Sequence, residues 1–163
     1  MDPLSLARLA PLNPEFARRI LVLSDLQNAA GEPIKVAQAF RSWADQQKEW
    51  NQGRTTPGPI VSNAPPGHSW HEFGLAADVC PIRLLTVKGW GPADPAWAAM
   101  GARGKRLGLF WGGDFVHCPP DRPHFQLTGI FPVSPDDEVR QIITQYGMAA
   151  VWQAAKITSG ETK

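Results

Sequence analysis

A chain of 163 residues suits one domain, since domains run to roughly 100 to 200 residues and at this size a core can form without staples. Sixteen basic against fifteen acidic residues leave a net charge of +1, with no Lys/Arg run to track a phosphate backbone, so no nucleic-acid partner is indicated. No stretch approaches the ~20 apolar residues that span a bilayer. The start MDPLSLARLAPLNPEF lacks the basic head and apolar core of a secretory signal, so a soluble monomer synthesised in the cytoplasm is expected.

Sixteen prolines, fifteen glycines and seven tryptophans point to a loop-rich fold with aromatic packing. Asn13-Pro14-Glu15 is a helix start: Asn accepts from free first-turn amides, and Pro14 gives up a donor that had no partner. Phe16, Ile20, Leu23 and Leu26 follow at spacings of three and four as the inward face, and Gly31 closes the helix. After Pro33, residues 34–40 read as a strand that delivers Arg41 at its end. Ser42 then caps a second helix from Trp43 to about Gln52, with Trp43, Gln46, Gln47 and Trp50 near one face and Gly53 as terminator. Residues 54–69 form a long Pro/Gly-rich loop without periodicity, a length that usually signals function in a domain of this size.

Residues 74–80 read as a buried strand, and Pro81 ends it or makes it an edge. Residues 82–87 are expected as its hairpin partner. Asp94 and Pro95 open a third helix from Ala96 to about Leu107, with Trp97, Met100 and Leu107 inward and Gly101 and Gly104 weakening its regularity. Two short strands, 109–111 and 124–127, flank a second Gly/Pro-rich loop. Ser134 is expected to cap one C-terminal helix carrying Val139, Ile142, Ile143, Tyr146 and Val151, with a frayed tail after Ile157. The order of elements predicts an α+β fold, a small mainly antiparallel sheet flanked by helices, in a single domain over residues 1–163.

The chemistry gathers in two stretches. Ser69, His71, Gly74, Ala76 and Asp78 form the pattern S-x-H-x-x-G-x-A-x-D, and DRPHF follows at 121–125. A lone His beside a Trp is more often a satisfied core residue than a ligand. Here His71, Asp78 and a second His, His124, offer two imidazoles and a carboxylate, a set that suits zinc and leaves one tetrahedral position open for water. Such a zinc lowers the pKa of its water to about 7. The competing motif H-E-x-x-H is absent, because Leu75 stands where its second His belongs; His68 and His117 are read as loop histidines. Cys80 and Cys118 are too few for a disulfide framework, leaving buried thiols, one disulfide or a metal role open.

The sequence resembles the zinc peptidases that cut bacterial cell-wall peptides: D-alanyl-D-alanine carboxypeptidases of the VanY type and the L-alanyl-D-glutamate endopeptidases found among phage endolysins. FRSWADQ at 40–46, GRTTPG at 53–58, SWHEFGLAAD at 69–78, WGGDF at 111–115 and DRPHF at 121–125 carry the resemblance. It implies a Hedgehog/DD-peptidase-like fold, with Zn2+ held by His71, Asp78 and His124. It also implies Asp121 as general base and Arg41 as the residue that contacts substrate and stabilises the oxyanion. Pro123 would stiffen the spacer between Asp121 and His124, and Arg41 offers a fixed cationic fork. Asp114 is the rival base, with a structural role among the amides of Gly112 and Gly113 as the alternative. Gln46, Ser62 and Ser69 are candidate substrate contacts, and Trp70, Phe73 and Phe125 candidate pocket walls.

The implied activity is hydrolysis of the peptidoglycan stem peptide, foremost at the L-Ala-D-Glu bond, as a bacteriolytic endolysin reaching the cell wall with a holin's help. Its alternatives are a D-Ala-D-Ala carboxypeptidase of the same fold and a non-catalytic zinc-bearing module that binds peptidoglycan.

Overall fold

The computed structural model describes residues 1–157; the tail expected to fray lies outside the described residues. Helix α1 (Pro3–Leu9) begins on an Asp2 side chain that accepts from Ser5 N–H. The sequence reading missed this helix, although Asp2-Pro3 repeats the logic of Asn13-Pro14. Helix α2 (Pro14–Ala29) starts where predicted, the Asn13 side chain accepting from the amides of Glu15 and Phe16. Its buried face is Phe16, Ile20, Leu23 and Gln27, not Leu26, which is 40% exposed. Gln27 turns inward because its Oε1 accepts from Arg103 across the helix pair.

Strand β1 (Ile34–Gln38), helix α3 (Trp43–Asn51), strand β2 (Ala76–Pro81), helix α4 (Ala96–Arg106), strands β3 (Phe110–Trp111) and β4 (His124–Gln126), and helices α5 (Asp137–Tyr146) and α6 (Met148–Ala154) follow. The sheet order is β1-β2-β4-β3 with every pair antiparallel, so the fold is α+β as predicted. β2 is central, and Pro81 ends it opposite Ile34. Both of its edges are taken by β1 and β4, so the expected hairpin partner at 82–87 does not form; a single 3-10 turn, Ile82–Leu84, stands there instead. On α3 only Gln46 is buried; Trp43, expected near the same face, is 42% exposed.

The main core lies between α2, α4 and the sheet, around Phe16, Ile20, Val36, Val79, Met100 and Phe125. Each such side chain contributes about 1.5–3 kcal/mol on leaving water. Gly101 and Gly104 keep α4 regular and close to the sheet: a Cβ at either would fall 2.3 Å from the Trp111 ring or 2.2 Å from the Phe125 ring. A second cluster, including Trp70, Phe73, Val139 and Val151, seats α5 and α6 against the turn that precedes β2. The C-terminal helix differs from expectation twice. Asp136 rather than Ser134 caps α5, accepting from Val139 N–H, and Gly147 at φ 79° breaks the run into two helices.

Candidate metal centre

Asp78 on β2 stands directly opposite His124 on β4, so both side chains leave the same face of the sheet. His71 arrives from a 3-10 turn, Trp70–Phe73, that ends in Gly74 at φ 65°, a left-handed position suited to glycine. Two contacts hold this turn to the end of β1. Arg41 N–H donates to the His71 carbonyl at 3.2 Å, and His71 Nδ1 lies 2.7 Å from the Ala39 carbonyl. Behind the turn, the buried Glu72 carboxylate accepts from the amides of Gly67 and Ser69, tying down the end of the long loop. Burial raises its pKa, partly offset by those amides.

These partners decide where the ring protons sit. A carbonyl can only accept, so His71 Nδ1 carries the proton and Nε2 holds a lone pair. Gln126 Nε2 donates to the Val133 carbonyl at 2.9 Å, which turns Gln126 Oε1 toward His124 Nε2, also at 2.9 Å. His124 Nε2 therefore donates, and His124 Nδ1 holds the lone pair. The two bare nitrogens are 3.2 Å apart, and Asp78 Oδ1 lies 3.4 Å from one and 3.3 Å from the other. Asp78 Oδ1 is buried without a hydrogen-bond partner, an arrangement costly unless a cation fills it.

Three electron pairs converging with no proton between them make a cation site. In a tetrahedron with bonds of about 2.0–2.1 Å, ligand atoms are about 3.3 Å apart, which the three observed separations match. Burial opposes the charge on Asp78, but positive charge on the His71 and His124 imidazoles, when they carry a second proton, outweighs it and holds its carboxyl well below the usual range. Burial likewise opposes a charged His124, yet Asp78 and Asp121 raise its pKa. Both directions express a site that stabilises positive charge.

Asp121 lies on the rim of the same cleft, a cavity of about 780 Å³ also lined by Arg41, Ser62, His68, Ser69 and Trp70. Its carbonyl accepts from His124 N–H at 3.2 Å, so the D-x-x-H spacing is one tight turn. Gly112 closes this turn from below, since a Cβ there would fall 2.5 Å from the Asp121 carbonyl oxygen and 2.8 Å from His124 Cβ. Although its surface meets cleft water, protein crowds the Asp121 carboxyl, and burial followed by the Asp78 charge raises its pKa. Asp114 instead pairs with Lys105 at 2.7 Å and takes none of the expected backbone amides.

Arg41 is buried, its fork held by Gln46 Oε1 at 2.7 Å, Glu49 at 3.1 Å and the Gln38 side-chain oxygen, while its Nε has no partner. Gln46 is wholly buried; its amide also donates to Ser62 Oγ and the Ala64 carbonyl, so it joins Arg41 to the long loop from behind the cleft. Ser62 and Ser69 line the cleft itself. Of the expected walls only Trp70 does so; Phe73 and Phe125 are fully buried in the core, and Phe115 stands in the cleft near His124. Cys80 is buried and Cys118 exposed, both free thiols, and burial pushes Cys80 up to about 11, away from the thiolate a metal would need. Sequence reasoning missed Gln38 and Glu49 behind Arg41, and Gln126 behind His124. The last had a signal, because residues two apart on a strand share a face.

Residues 62–127 match the family model described as D-alanyl-D-alanine carboxypeptidase. The chain resembles the VanY-like peptidase family. CwlK of Bacillus subtilis (strain 168), a peptidoglycan L-alanyl-D-glutamate endopeptidase, is 32% identical over 106 residues, 60% of this chain. The match spans 62% of that relative's length, less than two thirds. Among solved structures, the L-Ala D-Glu endopeptidase ChiX of Serratia marcescens superposes with a TM-score of 0.52 at 24% identity, covering 78% of this chain and 89% of that one. The D,D-pentapeptidase VanY from a VanB-type resistance cassette, solved in complex with Zn(II), superposes at 0.52 and 16% identity over 86% and 83%. At these identities the likeness establishes the VanY-like, DD-peptidase-like fold.

Proposed function

We propose that this chain is a zinc-dependent peptidase of the peptidoglycan stem peptide, cutting the L-Ala-D-Glu bond. One observation carries the reading: the bare donor atoms of His71, Asp78 and His124 converge in an open cleft rimmed by Asp121 and Arg41. The choice of bond is supported by the sequence likeness to CwlK. Zinc held by His71, Asp78 and His124 would supply a Lewis acid for the scissile carbonyl and lower the pKa of a water.

The chain's own residues do the rest. Asp121, a stronger base than an ordinary aspartate, takes the proton of the attacking water and returns it to the leaving amine. Arg41, fixed by Gln46 and Glu49, presents positive charge to the oxygen on which negative charge develops. Ser62 and Ser69 offer hydroxyls along the cleft, and Gln46 sets the position of Arg41 and Ser62. The enzyme acts as a monomer on the cell wall, as a lysin released with a holin's help would.

A second reading, a carboxypeptidase removing terminal D-Ala, is favoured by the description of the matching family model. Zinc-loaded protein incubated with defined stem peptides, the fragments weighed by mass spectrometry, separates the two. Fragments beginning at D-Glu are expected. Loss of one alanine from the C-terminus would establish the carboxypeptidase instead, and protein that sediments with peptidoglycan without cutting it would be a binding module.

A further inference from the structure

Gln126 occupies a position on β4 that neither catalysis nor packing alone explains. A glutamine side chain 2% exposed on the sheet face that carries His124 is costly unless both ends of its amide are satisfied. Here they are satisfied in one orientation only. Nε2 donates to the Val133 carbonyl at 2.9 Å, leaving Oε1 to meet His124 Nε2 at 2.9 Å. The Val133 carbonyl is itself held, accepting from Trp70 Nε1 at 2.8 Å, and Trp70 adjoins His71 in the same turn. A flipped amide would set its oxygen against the Val133 carbonyl, a repulsion in a buried space, so the Val133 carbonyl fixes the orientation and with it the proton on His124 Nε2.

We infer that Gln126 is the positioning residue of the metal centre: its Oε1 holds the proton on His124 Nε2 and aims the bare Nδ1 at the site shared with His71 and Asp78. The role matches that of the Ala39 carbonyl toward His71 Nδ1, so each imidazole is oriented through the nitrogen that faces away from the metal. Gln126 differs from that carbonyl in being a side chain, and so in being replaceable. It is opposite Ala76 in the register, two pairs along from Asp78 and His124 and so on the same face of the sheet. The inference rests on the reading of His71, Asp78 and His124 as metal ligands.

Substitution separates the two ends of the amide. Gln126→Glu keeps an acceptor for His124 Nε2–H and loses the donor to Val133; Gln126→Leu loses both. Zinc affinity, measured by competition with a chromophoric chelator on folded metal-free protein, is expected to fall 10- to 100-fold in Gln126→Leu and to stay within about threefold of wild type in Gln126→Glu. Equal losses in the two variants would assign Gln126 a merely structural role, and undiminished affinity in Gln126→Leu would remove it from the site. If Gln126→Leu does not fold, the imidazole 15N spectrum of zinc-loaded wild type decides. Ligation of His124 through Nδ1, with a slowly exchanging proton on Nε2, is expected; ligation through Nε2 overturns the inference. Wild-type protein that binds no zinc would instead overturn the ligand reading itself, and Gln126 with it.

Discussion

His71 Nε2 and His124 Nδ1 face each other at 3.2 Å, each a lone pair because the opposite nitrogen of its ring donates to a fixed oxygen. Two lone pairs and a carboxylate oxygen at this separation repel one another. The metal-free protein therefore has to recruit a proton or a water where a divalent cation would satisfy all three donors at once.

Zinc should accordingly stabilise the fold by mass action. At free zinc 100-fold above its dissociation constant the gain is about 2.7 kcal/mol, and EDTA should reverse it. Thermal unfolding with and without the ion measures this. His71→Ala, Asp78→Ala and His124→Ala should each abolish most of the shift, and a variant that keeps the wild-type zinc content leaves the ligand set.

Asp121→Asn should keep about one zinc per chain while losing 10²- to 10⁴-fold in hydrolysis, the range for a positioned general base. The amide preserves the backbone turn to His124 but cannot accept a proton. Metal analysis and peptide turnover on the same sample check it; undiminished turnover would move the base elsewhere, with Asp114 the next candidate despite its pairing with Lys105.

Gly104→Ala should destabilise, against helix propensity. Alanine gains about 1 kcal/mol over glycine in a helix interior, but its methyl would lie 2.2 Å from the buried Phe125 ring, and overpacking costs about 1–3 kcal/mol or more. Because Phe125 follows His124 on β4, the displacement should also weaken zinc binding. Calorimetry decides: a raised Tm would mean that the ring has room to retreat.

The Glu15 carboxylate, in the first turn of α2, accepts from Arg18 and Arg19, each at 2.8 Å. The Arg18 hydrogen bond foremost lowers its pKa from 4.5 to about 2. The folded state thus binds this proton less readily than the unfolded state. The stabilisation is complete above pH 4.5, declines as pH falls toward about 2 and is gone below. Glu15→Gln should flatten the stability profile in that window, as urea unfolding at a series of pH values would show; an unaltered acid limb would assign it to other carboxylates.

The local rules that read well are those whose cause is local. Asn13-Pro14 starts α2 and Ser42 caps α3, because a side chain and an amide two or three residues apart suffice. Errors fall where a distant partner overrules the pattern. Leu26 yields to Gln27 because Arg103 reaches across from α4, and residues 82–87 have no sheet edge left to join. Ser134 loses the cap to Asp136, whose extended backbone aims its carboxylate at Val139 N–H. Gly147 carried no weight in a helical periodicity that continues to Val151, yet it splits the helix.

The sequence by itself determined which groups could meet a metal: two imidazoles and a carboxylate, in a pattern that places a turn before a strand and a second histidine on another strand. Only the tertiary structure decided which atom each presents. His71 is oriented by a carbonyl 32 residues away, and His124 by an amide that is itself held by Val133. A histidine's tautomer and aim follow from what its far nitrogen touches, and that partner is a property of packing between elements, which spacing along the chain does not encode.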